Sequence, residues 1–151
     1  MTARRDRDRG LKAVARVREV RERDSLIGLR QAGAEHAARR LEAELVRETI
    51  REHTSATTAG EHEMSQFAAQ RHVLLALSAA AHRADQEVET AAHLKTAAHE
   101  HWQRDRARLR AVQHLLELRA EAWDAEAARS VARELDDIGG RLWLRARREG
   151  A

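Results

Sequence analysis

A single heptad frame runs through the second half of the chain and constrains the fold more than any other feature. One heptad position is apolar in eight of nine occurrences: Phe67, Leu74, Ala81, Val88, Lys95, Trp102, Leu109, Leu116 and Trp123. The companion position is apolar in five of eight and has a central run of alanines: Gln70, Leu77, Ala84, Ala91, Ala98, Asp105, Val112 and Arg119. Such a sustained repeat is typical of a left-handed coiled coil, and we interpret Lys95 and Asp105 as polar positions that select its register.

Composition favours helix throughout. The 151 residues suffice for one domain, and they include no proline and only seven glycines. Charged residues make up 35% of the chain and aromatic residues 3%, which suits long helices exposed along most of their length. We therefore predict an all-α protein. With no cysteine there is no disulfide or thiolate chemistry.

The first half predicts a second helix, from about residue 11 to 53, with a thinner seam. A 3-4 apolar pattern fits Val17, Val20, Asp24, Ile27, Gln31, Ala34, Ala38, Leu41 and Leu45. The stretch "HTSATTAGEH", residues 53–62, clusters threonine, serine and glycine, so we place a turn at about residues 54–60. Thr58 and Glu61 match a capping box that would begin the next helix.

Two long helices joined by a short turn predict a long antiparallel two-helix coiled-coil hairpin. Its arms are unequal: helix one spans roughly 65 Å, and helix two, from about residue 61 to 138, spans roughly 117 Å. Gly139-Gly140 is a predicted helix stop before a basic tail, residues 139–151. If the helices pair outward from the turn, helix one ends opposite about Leu109, and the rest of helix two has no partner on helix one. Three explanations for this unpaired part stay open: extra short helices at the tip, dimerisation, or docking to another protein.

Both ends of the chain are basic although the net charge is only +3. The first ten residues carry four arginines and two aspartates, and residues 139–151 carry four arginines and one glutamate. Such ends suit nucleic acid, anionic lipid or an acidic protein surface, and equally suit solvated tails that aid solubility.

The sequence contains no recognisable catalytic or cofactor motif, so we expect a protein that is not an enzyme and needs no cofactor or metal. The nine histidines include no pair spaced like a zinc-binding HExxH helix, and His62 at the turn is the best single candidate ligand. No run of about 18 apolar residues and no signal segment is present, so we expect a cytosolic protein.

Three stretches of the chain stand in an order and spacing that match a known family. They are "LKAVARVREVRERDSLIGL", residues 11–29, "HEHWQRDRARLRAVQHLLELRAEA", residues 99–122, and "ARELDDI", residues 132–138. Together they resemble the FliJ family, the soluble stalk component of the bacterial flagellar type III export apparatus. The first is similar to that family's opening helix, the second to its tryptophan-basic-leucine stretch on the second helix, and the third to its C-terminal leucine-aspartate motif. The resemblance covers nearly the whole chain.

The resemblance implies a shaft that inserts its joined termini into the hexameric export ATPase and promotes its assembly and activity. The basic ends and the arm mismatch are compatible with this docking and give a hypothesis for the ATPase-facing residues: Arg4, Arg5, Arg7, Arg9, Leu116, Trp123, Arg141 and Arg145, supplemented by Trp143, Arg147 and Arg148. The implied partners at the tip are the export gate and the export chaperones, with gate-facing residues Leu41, Leu45, Val73, Leu77, Ala80 and Ala84. The family often has tyrosine and phenylalanine in that tip cluster, whereas this chain has valine and alanine.

The resemblance also implies a cytoplasmic protein that lies at the inner face of the cell membrane only through its partners. Two other functions remain as alternatives: an arginine-rich nucleic-acid-associated helical protein, and a generic secretion chaperone or coiled-coil scaffold. Against nucleic acid, no aromatic residue is interleaved with the arginine clusters and no reading motif is present.

Overall fold

The computed structural model of the chain describes residues 8–58 and 64–149, and these form two helices. Helix α1 is Arg9–Thr58 and helix α2 is Met64–Glu149. The helices pack against each other, and the described part of the chain contains no strand. The predicted all-α antiparallel hairpin with unequal arms is therefore confirmed. Contacts divide the chain into two units. The first is residues 20–106, and the second combines the segment that ends at residue 19 with the segment that begins at residue 107.

The seam predicted for α2 is confirmed over most of its length. Buried or half-buried positions follow the heptad frame: Gln70, Leu74, Leu77, Ala81, Ala84, Val88, Ala91, Ala98, Trp102, Asp105, Leu109, Val112, Leu116 and Trp123. Three members of the frame are exposed instead, namely Phe67, Lys95 and Arg119. Large side chains in one unbroken frame thus indicated the buried face of α2 correctly.

The seam predicted for α1 is wrong. Val17, Val20, Ile27, Leu41 and Leu45 are all more than half exposed. The buried and half-buried positions follow another 3-4 frame about 150° away around the helix: Leu11, Ala15, Arg18, Glu22, Ser25, Leu29, Ala32, His36, Arg39, Ala43, Val46 and Ile50. Apart from Leu11, Leu29, Val46 and Ile50, this face consists of small and polar residues, which allow close approach and direct bonds to α2.

Polar contacts tie α1 to α2 within residues 20–106. The Trp102 indole Nε1 donates a hydrogen bond of 2.8 Å to Glu22 Oε1. Arg39 lies 3.2 Å from Glu87 across the seam, and Arg47 pairs with Asp85. Hydrogen bonds to Glu35, and then to Glu42, hold the pKa of the Arg39 guanidinium above its ordinary value, so this seam position stays charged.

Both predicted inner helix ends differ from the structure. Helix α1 continues to Thr58 and α2 begins at Met64, so Thr58 ends one helix rather than capping the next. The Thr54 hydroxyl donates to the Ile50 carbonyl and the Ser55 hydroxyl donates to the Glu52 carbonyl, so these side chains bond within the helix. Residues 59–63, including Glu61 and His62, lie outside the described residues.

The predicted stop at Gly139-Gly140 is also wrong, because α2 continues to Glu149. A glycine inside a helix costs only about 1 kcal/mol relative to alanine, and no proline follows to end the helix. Residues 139–149 are therefore helical rather than a loose basic tail.

The start of α1 is fixed against α2 within the second unit. The Asp8 backbone carbonyl accepts a hydrogen bond of 2.8 Å from the Lys12 amide, which makes Asp8 the N-cap of α1. The Asp8 side chain lies 3.3 Å from Arg119, and Asp8 is buried. Pairing of the helices thus extends past Leu109, where the sequence predicted that helix one would be exhausted.

Candidate partner-binding surfaces

The last part of α2, residues 124–149, is exposed along its whole length, and we call it the overhang. Trp123 is half-buried, whereas every described residue from Asp124 to Glu149 is exposed. The overhang is about 39 Å long at 1.5 Å per residue. A lone helix of this length is marginal in water without tertiary packing, so a bound partner would stabilise it.

An apolar stripe follows one side of the overhang. Val131, Leu135, Ile138 and Leu142 recur at spacings of four and three residues, and each is more than half exposed. Trp143 and Leu144 add two more large exposed side chains nearby. Contiguous apolar surface of this kind marks sites where a protein binds a partner.

Arginines surround the far end of this stripe. Arg141, Arg145, Arg147 and Arg148 are all exposed, and the Arg147 guanidinium lies 5.1 Å from the centre of the Trp143 ring. The end of the overhang therefore combines apolar side chains with positive charge, which suits an acidic or polar rim around an apolar contact.

The ATPase-facing residues predicted from the sequence occupy different environments. Leu116 and Trp123 are half-buried in the seam of the unit that contains the overhang, and Arg9 is exposed at the start of α1. Since Arg119 pairs with Asp8, Arg141 lies about 33 Å farther along α2 than the start of α1. The structure thus does not bring Arg9 together with the arginines near the C-terminus, and Arg4, Arg5 and Arg7 lie outside the described residues.

The gate-facing residues predicted at the other end divide into two groups. Leu41, Leu45 and Val73 are exposed, with Leu41 at 63% and Val73 at 43%. Leu77, Ala80 and Ala84 are half-buried in or beside the seam. Only the first group is available to a partner without a change in how the helices pack, and its role remains a prediction.

The sequence reasoning missed one surface because it assigned that surface to the seam. Four large apolar side chains of α1 lie on the face opposite the seam and are exposed: Val20, Ile27, Leu41 and Leu45. A 3-4 apolar pattern reports that a helix has an apolar face, but it does not identify what covers that face.

Neither a metal centre nor a membrane span is present in the part of the chain that the structure describes. Within residues 8–58 and 64–149, no three histidine, cysteine or acidic side chains are grouped to hold a metal ion. No helix formed by these residues is both long and apolar enough to cross a bilayer.

The two packed helices and the exposed overhang define a class of helical-hairpin protein. The sequence model of the family described as "Flagellar FliJ protein" matches residues 8–148. The chain therefore belongs to the FliJ family, as its resemblance predicted. Neither the search of curated proteins nor that of solved structures found a match.

Family membership makes the chain a component of the flagellar export apparatus, in a family that is not catalytic. This assignment favours a role in protein export over the nucleic-acid alternative.

Proposed function

We propose that this chain is the stalk of the flagellar export apparatus and that its overhang enters the ring of the export ATPase. Bound there, it promotes assembly of the hexamer and raises the rate of ATP hydrolysis. The observation that carries the proposal is the exposure of every described residue from 124 to 149. The apolar stripe on that segment needs a partner surface, and a ring's central hole offers contacts around the whole helix.

The arginines give the docking an electrostatic component. Exposed positive charge at Arg141, Arg145 and Arg148 steers the overhang toward an acidic entrance and speeds association. The apolar stripe then supplies the contribution that salt does not screen. Shaft docking should therefore weaken with salt but keep a salt-resistant part, whereas nucleic-acid binding would fall steeply with salt.

The other end of the hairpin is proposed to contact the export gate and to exchange with empty export chaperones. Exposure of Leu41, Leu45 and Val73 supports this role. These contacts would hold the protein in the cytoplasm at the inner face of the cell membrane, through its partners alone.

The test is ATP hydrolysis by the cognate export ATPase, titrated with the full chain. We expect the wild-type chain to raise the rate and shift the ATPase toward hexamer. The variant Leu135→Glu/Ile138→Glu should raise the half-maximal concentration at least about tenfold, because each buried side chain of this size contributes about 1 kcal/mol or more.

The matched control is Leu75→Glu/Leu94→Glu, which alters two leucines of α2 outside the overhang with similar exposure, 59% and 60%. This control should stimulate the ATPase like the wild type. No stimulation by the wild type, or equal loss in both variants, would remove the proposal that the overhang is the docking element.

A further inference from the structure

The outer face of α1 carries an apolar stripe that stays exposed among the residues that the structure describes. We call it the outer stripe, and its members recur every three or four residues: Val20, Asp24, Ile27, Gln31, Ala34, Ala38, Leu41 and Leu45. All eight are exposed, and Val20, Ile27, Leu41 and Leu45 are 51–63% exposed. The stripe is about 38 Å long, on the side of the helix away from α2.

The charges that flank the outer stripe are divided between its two halves. Arginines flank the N-terminal half, at Arg21, Arg23 and Arg30, and glutamates flank the C-terminal half, at Glu35, Glu42 and Glu44. All six are exposed. Within the described residues the three arginines make no ion pair with another side chain. The glutamates bond to Arg39 and Arg47 of α1 itself. A partner helix that is acidic opposite the first half and basic opposite the second would complement these charges, and the same stripe in the reverse direction has this arrangement.

We propose that the outer stripe binds the outer stripe of a second copy of this chain in an antiparallel, two-fold symmetric pair. An isologous interface of this kind places the same surface on both subunits. The register that sets Val20 beside Leu45 of the second copy also sets Ile27 beside Ala38 of the second copy. It brings Arg21 near Glu42 of the second copy and Arg23 near Glu44 of the second copy, and each pair occurs twice.

The antiparallel direction follows from charge. A parallel pair in register would set Asp24 against Asp24 of the second copy and the arginine-rich halves against each other. Flanking charges in coiled coils determine orientation and partner choice, while the apolar positions supply most of the affinity. Asp24 is the one charge within the outer stripe, and its desolvation keeps the pair weak.

The pairing covers Leu41 and Leu45, so a paired copy could not present them to the export gate. This consequence rests on the proposed gate contact, whereas the pairing itself does not. Self-association of the purified chain tests the pairing without any partner, so failure of either idea is distinguishable from failure of the other.

The experiment is sedimentation equilibrium of the full chain with charge-reversed variants. The wild type should be in concentration-dependent equilibrium between monomer and dimer. Arg21→Glu/Arg23→Glu and Glu42→Lys/Glu44→Lys should each be monomeric, because all four pairs become repulsive. An equimolar mixture of the two variants should form a heterodimer, because every pair is attractive again.

The matched control is Arg40→Glu/Arg83→Glu, which changes the net charge as much as the arginine variant but lies off the outer stripe. It should associate like the wild type. Because Glu42 and Glu44 also accept hydrogen bonds from Arg39 and Arg47, circular dichroism must first show unchanged helix content in each variant.

One more variant tests the apolar contribution independently of charge reversal. Asp24→Leu removes a charge that the pair would bury, so the dissociation constant should fall at least about tenfold. A wild type and an Asp24→Leu variant that are both monomeric at the highest soluble concentration would overturn the proposal. So would charge-reversed variants that each dimerise like the wild type, or a mixture of them that fails to associate.

Discussion

The bond between Trp102 and Glu22 should be a measurable part of the stability of the hairpin. The indole N–H donates to a carboxylate at 2.8 Å, and both residues are half-buried. A hydrogen bond to a charged group contributes about 1.5–3 kcal/mol, and partial exposure to water reduces this to about 1 kcal/mol. Trp102→Phe keeps most of the ring but removes the donor.

The assay is thermal unfolding followed by circular dichroism, on a double-mutant cycle of Trp102→Phe and Glu22→Ala. One kcal/mol corresponds to about 2–4 °C in midpoint for a chain of this size, so Trp102→Phe should lower the midpoint by about 3 °C or more. The coupling energy between the two sites should be about 1 kcal/mol. The Arg106 guanidinium, 4.9 Å from the ring centre, still faces an aromatic ring in the variant.

Trp143→Phe is the matched control, since it makes the same change in the overhang. Trp143 is 58% exposed, and its ring contacts Arg147 on the same helix. The thermal unfolding midpoint of the Trp143→Phe variant should therefore stay within about 1 °C of that of the wild type. A coupling energy below about 0.3 kcal/mol, or an equal loss in the control, would refute the packing that pairs Glu22 with Trp102.

Two further predictions concern α1. Asp8→Ala removes the partner of Arg119 and a favoured N-cap side chain, so it should lower the free energy of unfolding by about 1 kcal/mol. It should also speed amide exchange in the first turn of α1, which hydrogen-exchange mass spectrometry measures. Ala43 is 2% exposed, so Ala43→Leu should overpack the seam and destabilise the protein by about 1–3 kcal/mol in chemical denaturation. Leu41→Ala, at a position 63% exposed, should change stability by less than about 0.5 kcal/mol, and the reverse order would contradict the assigned face of α1.

The sequence predicted α2 well because its large side chains share one heptad frame and one face. Trp102, Leu109 and Leu116 cannot leave that frame without exposing large apolar area, so hydrophobic pattern alone determines the seam. Phe67 is the exception. It belongs to the frame but lies near the start of α2, where it is 54% exposed.

The buried face of α1 could not be predicted in the same way. Its seam contains Glu22, Ser25 and Arg39, whose places depend on an indole N–H and a carboxylate from α2. The stronger apolar pattern, with Ile27 and Leu41, lies on the outside. A prediction from apolar pattern assumes that the more apolar face is the buried one, and this assumption fails for α1, whose more apolar face is exposed.

The candidate site was predicted in part. The arm mismatch indicated that α2 would extend past α1, but the fully exposed segment begins at Asp124 rather than near Leu109. The difference arises because α1 begins before Leu11 and Asp8 reaches Arg119. Helix α2 continues through Gly139 because a glycine costs little in a helix that no proline ends. Composition alone does not tell whether a helix stops or continues at such a glycine.

Amide hydrogen exchange of the full chain, alone and with the export ATPase, tests the free arm most directly. In the free protein, amides from Asp124 to Glu149 should exchange far faster than those of the paired segment from Ala84 to Leu116, because a lone helix opens without losing tertiary contacts. Adding the ATPase should protect residues 124–149 and leave the paired segment unchanged. Equal protection of both segments in the free chain, or no change in residues 124–149 on addition of the ATPase, would contradict the account.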